Sequence, residues 1–245
     1  AVAIVLTPRH AVLGYGTRAE GKTPRLYDPA CFTGQGGIEV VDLANPRKPR
    51  SVAALELNQT VTDLALAHDR LVASHSDGSL TSVDIHDPAQ LTVSGRHDTS
   101  GSVTTGLPLG STHLALSPDG NRAYVVSRNT PANGNPYVGQ DAFAVIDLKA
   151  ATGPRVLGQL TFDRHSVMES SMALLGHHII IFSGDIVIVD VNDPTRPTVT
   201  LRQPFPPVRY WPPDRVGLAL DDQYLYLGAV EDGLWVYRLP ATLRK

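Results

Sequence analysis

Four short segments of the chain superimpose on one another: Ile38-Glu39-Val40-Val41-Asp42, Leu80-Thr81-Ser82-Val83-Asp84, Phe143-Ala144-Val145-Ile146-Asp147 and Ile186-Val187-Ile188-Val189-Asp190. A fifth, Leu234-Trp235-Val236-Tyr237-Arg238, keeps the pattern but ends in Arg. The steps between the closing residues are 42, 63, 43 and 48. Self-similarity at such a period marks a repeat architecture, in which one supersecondary unit is copied along the chain. The long step contains an insertion, Asn129–Gln140, rich in Asn, Gly and Pro.

What surrounds these segments repeats too. After the Asp come Asn45-Pro46-Arg47-Lys48-Pro49, Asp87-Pro88 and Asn192-Asp193-Pro194-Thr195-Arg196-Pro197. Asx followed by Pro is turn chemistry, because the Asx side chain accepts from the backbone two residues on and Pro fixes φ. A further apolar strand follows, as in Ser51–Leu57 and Val156–Phe162. Upstream, Leu-Ala-Leu recurs in Asp63–Leu66, His113–Leu116 and Gly217–Leu220, each leading through a polar turn into a second strand. Ser171–Leu175, Gly176-His177-His178 and Ile179–Phe182 repeat this more loosely, as do Ala1–Leu6 and His10–Tyr15.

Each unit therefore reads as four antiparallel strands in about 45 residues, the size of one propeller blade. The expectation is an all-β, single-domain β-propeller over residues 1–245, with units near 1–58, 59–98, 110–163, 166–203 and 214–245. Small residues suit the innermost strands, which crowd at the axis. One blade cannot cover both of its faces, so neighbours must stack.

The apolar strand closing on Asp, with Asn-Pro or Asp-Pro after it, resembles the LVIVD repeat of bacterial surface and secreted proteins. Ile186–Pro194 carries the pattern almost ideally and Ile38–Pro46 nearly so. The third unit has Lys149-Ala150-Ala151 in place of the Pro turn, and the fifth lacks both Asp and Pro turn. The resemblance implies a propeller in an extracellular, cell-surface or periplasmic bacterial setting. The repeat is structural and carries no uniform enzymatic function, so the resemblance fixes fold better than role and leans away from an enzyme without deciding it.

Completeness of the ring is a separate matter. Residue 1 already stands in an inner strand, and little chain follows the third strand of the last unit. Either five blades close on themselves, with Ala241–Lys245 as a stub, or the array is part of a seven- or eight-bladed propeller. The second is favoured, and it leaves an apolar blade face in need of a cover.

Composition excludes several roles. Hydrophobic residues are 42% and charged residues 18%, with a formal net charge of -3, so no basic surface for nucleic acid stands out. The longest apolar run, near His177–Phe182, is far short of the roughly 20 residues that span a bilayer. One cysteine, Cys31, precludes an intrachain disulfide framework. No phosphate-binding Gly loop, paired-Cys zinc motif or nucleophile elbow is present.

Candidate functional residues come from the repeat alignment. Asp63, His113 and Ser171 occupy equivalent places at the entry of inner strands, with Arg164, His165, Glu169 and Arg215 on entering loops. Residues at one level of different blades converge on the channel mouth, so Asp63, His113, His165, Glu169 and Arg215 are channel-mouth candidates. Imidazole with carboxylate suits a transition metal or a general base. That gives an alternative reading as an enzyme or metal-binding propeller through His113 and His165. The plainer expectation is a solvated polar mouth with no cofactor.

His177-His178 reads as a polar turn, because neighbouring strand residues point to opposite faces and would not share an ion. The repeated aspartates read as turn caps. Phe205, Arg209, Tyr210 and Trp211, in the Pro-rich stretch Gln203–Pro213, are candidates for partner binding, as are loops in the insertions Thr17–Gly36 and Asn129–Gln140. The functional expectation is a non-enzymatic interaction module for a protein or glycan partner, or for missing blades.

Overall fold

Alternation of side chains along a strand means that a strand apolar at every position has two buried faces. The sequence His178-Ile179-Ile180-Ile181-Phe182 is such a strand, and the computed structural model shows where both faces go. It describes residues 3–16, 35–75, 77–97, 112–129, 139–149, 155–164, 171–204, 217–229 and 233–243.

Blade one consists of β1 (Ala3–Leu6), β2 (His10–Gly16), β3 (Gly36–Asp42) and β4 (Arg50–Leu57). Blade two is β5 (Val61–Ala67), β6 (Arg70–His75), β7 (Leu80–Asp84) and β8 (Thr92–His97). Blade three is β9 (Thr112–Leu116), β10 (Arg122–Asn129), β11 (Gly139–Asp147) and β12 (Arg155–Arg164). Blade four is β13 (Ser171–Leu175), β14 (His178–Phe182), β15 (Asp185–Asp190) and β16 (Thr198–Pro204). Blade five shows three strands, β17 (Gly217–Leu220), β18 (Tyr224–Ala229) and β19 (Gly233–Arg238), then a 3-10 turn at Ala241–Leu243. Each sheet is an antiparallel meander in sequence order.

The blades are equivalent down to the register. In all four four-stranded sheets the pairing of the third and fourth strands is interrupted just before the repeated Asp: at Val40/Val41, Ser82/Val83, Val145/Ile146 and Ile188/Val189. A β-bulge there adds local twist, and its recurrence marks it as part of the repeat.

The repeated aspartates do cap the next turn. Asp42, Asp84, Asp147 and Asp190 each accept, through Oδ1, the backbone N–H two residues on, from Ala44, His86, Lys149 and Asn192, at 2.8–2.9 Å. The cap survives in blade three, where the Pro turn is missing. The following Asx repeats the device, with Asn45, Asp87 and Asp193 accepting from Arg47, Ala89 and Thr195.

Four apolar layers lie between five blades. Val12, Ile38 and Val40 of blade one meet Val61, Leu64, Leu71 and Val83 of blade two. Val72 and Leu80 meet Leu114, Val125 and Ile146 of blade three. Tyr124, Phe143 and Phe162 meet Ile179, Ile181, Val187 and Val189 of blade four. Ile180, Phe182 and Ile188 meet Leu225, Leu227, Leu239 and Leu243. Alternate residues of β14 thus serve two layers, which is why that strand has no polar face. Burying each such side chain contributes about 1.5–3 kcal/mol, so the inter-blade layers are the main cohesion of the array.

Candidate functional site at the channel mouth

The inner strands β1, β5, β9, β13 and β17 stand side by side in chain order, and the residues that enter them define one end of the axis. Asp63 enters β5 and His113 enters β9, as the repeat alignment placed them. The structure brings these two together: Asp63 Oδ2 lies 3.5 Å from His113 Nδ1, both side chains about three-quarters covered.

The carboxylate has other duties. Asp63 Oδ1 accepts the N–H of Leu64 at 2.8 Å, and Oδ2 accepts the N–H of Leu114, in the next blade, at 2.9 Å. Two backbone donors hold this carboxylate, so its role as a proton acceptor is subordinate to a structural one. Ser171 opens β13, opposite Phe182. His165, Glu169 and Arg215 lie outside the described residues, so among the candidates only Asp63 and His113 are seen to meet. Phe205, Arg209, Tyr210, Trp211 and Cys31 also lie outside them, as do residues 17–34 and 130–138 of the two insertions.

Just beneath the mouth, blade two carries a buried polar cluster. Thr62 Oγ1 and Ser74 Oγ are 2.9 Å apart, and His75 Nε2 is 2.8 Å from Thr81 Oγ1. His75 is wholly buried, and that burial pushes its pKa down, so the ring is neutral. Between blades three and four, Arg202 reaches from β16 to Asp185, Nε to Oδ2 at 2.7 Å, and its Nη2 donates to the Asp163 carbonyl of blade three at 2.7 Å. Sequence reading passed over Arg202, since an Arg in an exposed outer strand looks like any solvated cation.

On the opposite face of the disc, the turns that leave β5 and β9 line a shallow groove of about 270 Å³ with His68, Asp69, Arg70, Asp84, Asp119 and Asn121. Arg70 is engaged there, donating from Nη1 to the Gly120 carbonyl at 3.0 Å.

The turn leaving β13 is the polar turn expected there, but its two histidines are not both strand residues. His177 sits in the turn and only His178 is in β14, so the two are not successive strand residues and the opposite-faces argument does not hold. The left-handed φ of 61° at Gly176 reverses the chain, and the two imidazole rings come to 4.1 Å between centroids.

The LVIVD repeat family model matches residues 72–99 and 170–202, which take in the outer strands and Asx turn of blade two and nearly all of blade four. No curated protein matches the chain. Among solved structures, the periplasmic gluconolactonase PpgL of Pseudomonas aeruginosa is similar over 99% of this chain and 69% of its own, at 12% identity and a TM-score of 0.62. A functionally unknown protein of Desulfotomaculum acetoxidans is similar over 97% of this chain and 68% of its own, at 13% identity and a TM-score of 0.65. At such identities the likeness is one of fold.

Proposed function

We propose that the chain, a β-propeller carrying LVIVD repeats, is a non-enzymatic scaffold of a bacterial surface, periplasmic or secreted assembly, completed at its two ends by further blades. The observation that carries this reading is the state of the end faces. On blade one, Ile4 and Leu6 are 59% and 67% exposed; on blade five, Leu234 and Val236 are 65% and 52% exposed. These positions carry the same apolar alternation that the four internal layers bury. On blade five, a Cβ added at Gly217 would meet nothing within 4 Å.

Exposed apolar faces of this kind mark interaction sites. Their occupant, on this reading, is a blade, because they continue an interface already made four times along the array. Both structural neighbours extend beyond the matched part by about a third of their length, which is about two blades' worth. Loops at the channel mouth, with the Pro-rich stretch around Phe205–Trp211, would then present the assembled disc to a protein or glycan partner.

Ultracentrifugation of the isolated chain tests this. Self-association through the end faces is expected, suppressed by Leu6→Lys or Val236→Lys. A monomer in which a cross-link joins residues 4 and 236 directly would instead show a closed five-bladed ring and remove the reading.

The second reading, an enzyme or metal-binding propeller, has one observation in its favour: the Asp63–His113 contact. A sugar-lactone hydrolysis assay and metal analysis, each repeated on His113→Ala, separate the two. Turnover or metal lost with that single ring would favour the second.

A further inference from the structure

At the end of the axis away from the mouth, blade four departs from the repeat in one respect. In every blade the last turn residue before the second strand accepts, through its carbonyl, an N–H from just beyond the third strand: Leu43 to Arg9, Ile85 to Asp69, Leu148 to Asn121, Val191 to His177 and Leu239 to Gln223, all 2.8–2.9 Å. This bond pins the turn against the repeated Asp. The first residue of the second strand then faces that Asp: His10 with Asp42, Arg70 with Asp84, Arg122 with Asp147 and His178 with Asp190.

In blades one and three the carboxylate also has arginine. Arg9 and Arg50 lie 3.4 and 3.6 Å from Asp42, and Arg155 lies 3.9 Å from Asp147. Arg50 and Arg155 each pair with the Asp from the fourth strand. In blade four the fourth-strand partner of Asp190 is Thr198, and the turn supplies His177 beside His178. Blade one also has an imidazole facing its Asp, His10, but beside Arg9; blade four alone sets two imidazoles there.

We propose that His177, His178 and Asp190 form a binding site for a divalent transition-metal ion of the zinc class. Their ligand atoms lie within 4.8 Å of one another, and among the described residues they are the one such group of three. Ligands at about 2.0–2.1 Å from a tetrahedral ion stand about 3.3 Å apart, so binding draws the three groups together from their present separation, and His177 is an exposed turn residue. Nitrogen and carboxylate oxygen are the donors this class of ion takes.

The backbone that carries the ligands is held without the ion, through the Val191–His177 bond and the Asn192 N–H on Asp190 Oδ1. A carboxylate accepts several bonds, so this cap leaves ligand capacity. Three protein ligands leave a fourth position open to water or to a donor from a partner at this exposed turn.

Zinc titration by calorimetry and cobalt titration by visible absorption, on the intact chain, test the site. One ion per chain is expected, with the cobalt d–d bands of a nitrogen–oxygen site. His177→Ala and His178→Ala should each weaken binding about tenfold or more, while His86→Ala, an exposed histidine of another blade, leaves it unchanged. His177 is exposed in a turn, so its variant tests the site without disturbing the core. Wild-type binding no tighter than that of the His177→Ala/His178→Ala double variant, or binding lost with His86, overturns the proposal.

Discussion

Asp63 Oδ2 accepts the backbone N–H of Leu114 across the boundary between blades two and three, at 2.9 Å. A side chain that the repeat alignment singled out for chemistry is thus a clamp between neighbouring inner strands. Its second oxygen holds Leu64 N–H in its own strand, so one carboxylate ties both strands at the point where they enter the disc.

Truncation leaves two backbone donors short of partners in a half-buried setting. Asp63→Ala is therefore expected to destabilise the fold by about 1–3 kcal/mol. Asp63→Asn, whose carbonyl oxygen can still accept, should cost less. Urea unfolding of the three proteins checks the order, and equal losses for Ala and Asn would refute the clamp.

Arg202 gives a second test at another boundary. It binds the buried carboxylate of Asp185 and the Asp163 carbonyl of the neighbouring blade. Arg202→Met keeps much of the apolar stem but removes the 2.7 Å ion pair from a carboxylate that is only 6% exposed. A loss of about 2–4 kcal/mol is expected, against under about 1 kcal/mol for an exposed ion pair. The Arg202→Met/Asp185→Leu double variant should recover part of it. No recovery would mean that the contact with blade three, and not the ion pair, carries the effect.

Glycines report on which faces have neighbours. A Cβ on Gly14 would stand 2.5 Å from Val61 Cγ1 of blade two, whereas on Gly228 it would meet only the Gly217 carbonyl, at 4.0 Å. Gly14→Val should cost about 1–3 kcal/mol by overpacking, and Gly228→Ala should be neutral or slightly stabilising through the unfolded chain. Thermal unfolding of the isolated chain reads both. A large loss at Gly228 would reveal a contact on the far face of blade five.

The blade and its repeat were legible because they rest on local signals: period-two apolar runs, Asx-Pro turns and a recurring Asp whose cap bond spans two residues. The cap in blade three was legible even without its proline, since Asp147 alone makes it. The meeting of Asp63 with His113 followed from the repeat alignment, but the particular bonds made between blades did not show. Nothing in the sequence says that Asp63 reaches Leu114, or that Arg202 reaches the Asp163 carbonyl, because those pairs are 51 and 39 residues apart. The polar turn at Gly176 and His177 was legible, but the two rings' approach was not, because strand alternation does not govern His177, which lies in the turn.

The pH dependence of stability should carry the mark of His75. Burial lowers its pKa below the ordinary 6.5, with Asp77 opposing. The unfolded chain therefore takes up a proton at higher pH than the folded one, and stability falls as pH drops below about 6.5. His178 adds the same sign. His86, raised by its bond to Asp69, has the opposite sign, but it is fully exposed and screened. His75→Gln should flatten the change in urea midpoint between pH 7.5 and 5.5. A further decline is expected below the usual carboxylate range, because Ser117 Oγ–H and then Asn121 N–H hold Asp119 down to about 2, so its contribution is present above pH 3.8 and lost as pH approaches 2. Asp119→Asn should reduce that second slope, which Asp42, Asp193 and Asp221, also held down by hydrogen bonds, share, and leave the first unchanged. If the His75→Gln and wild-type profiles run parallel down to pH 5.5, the neutral ring in blade two is not what resists protonation.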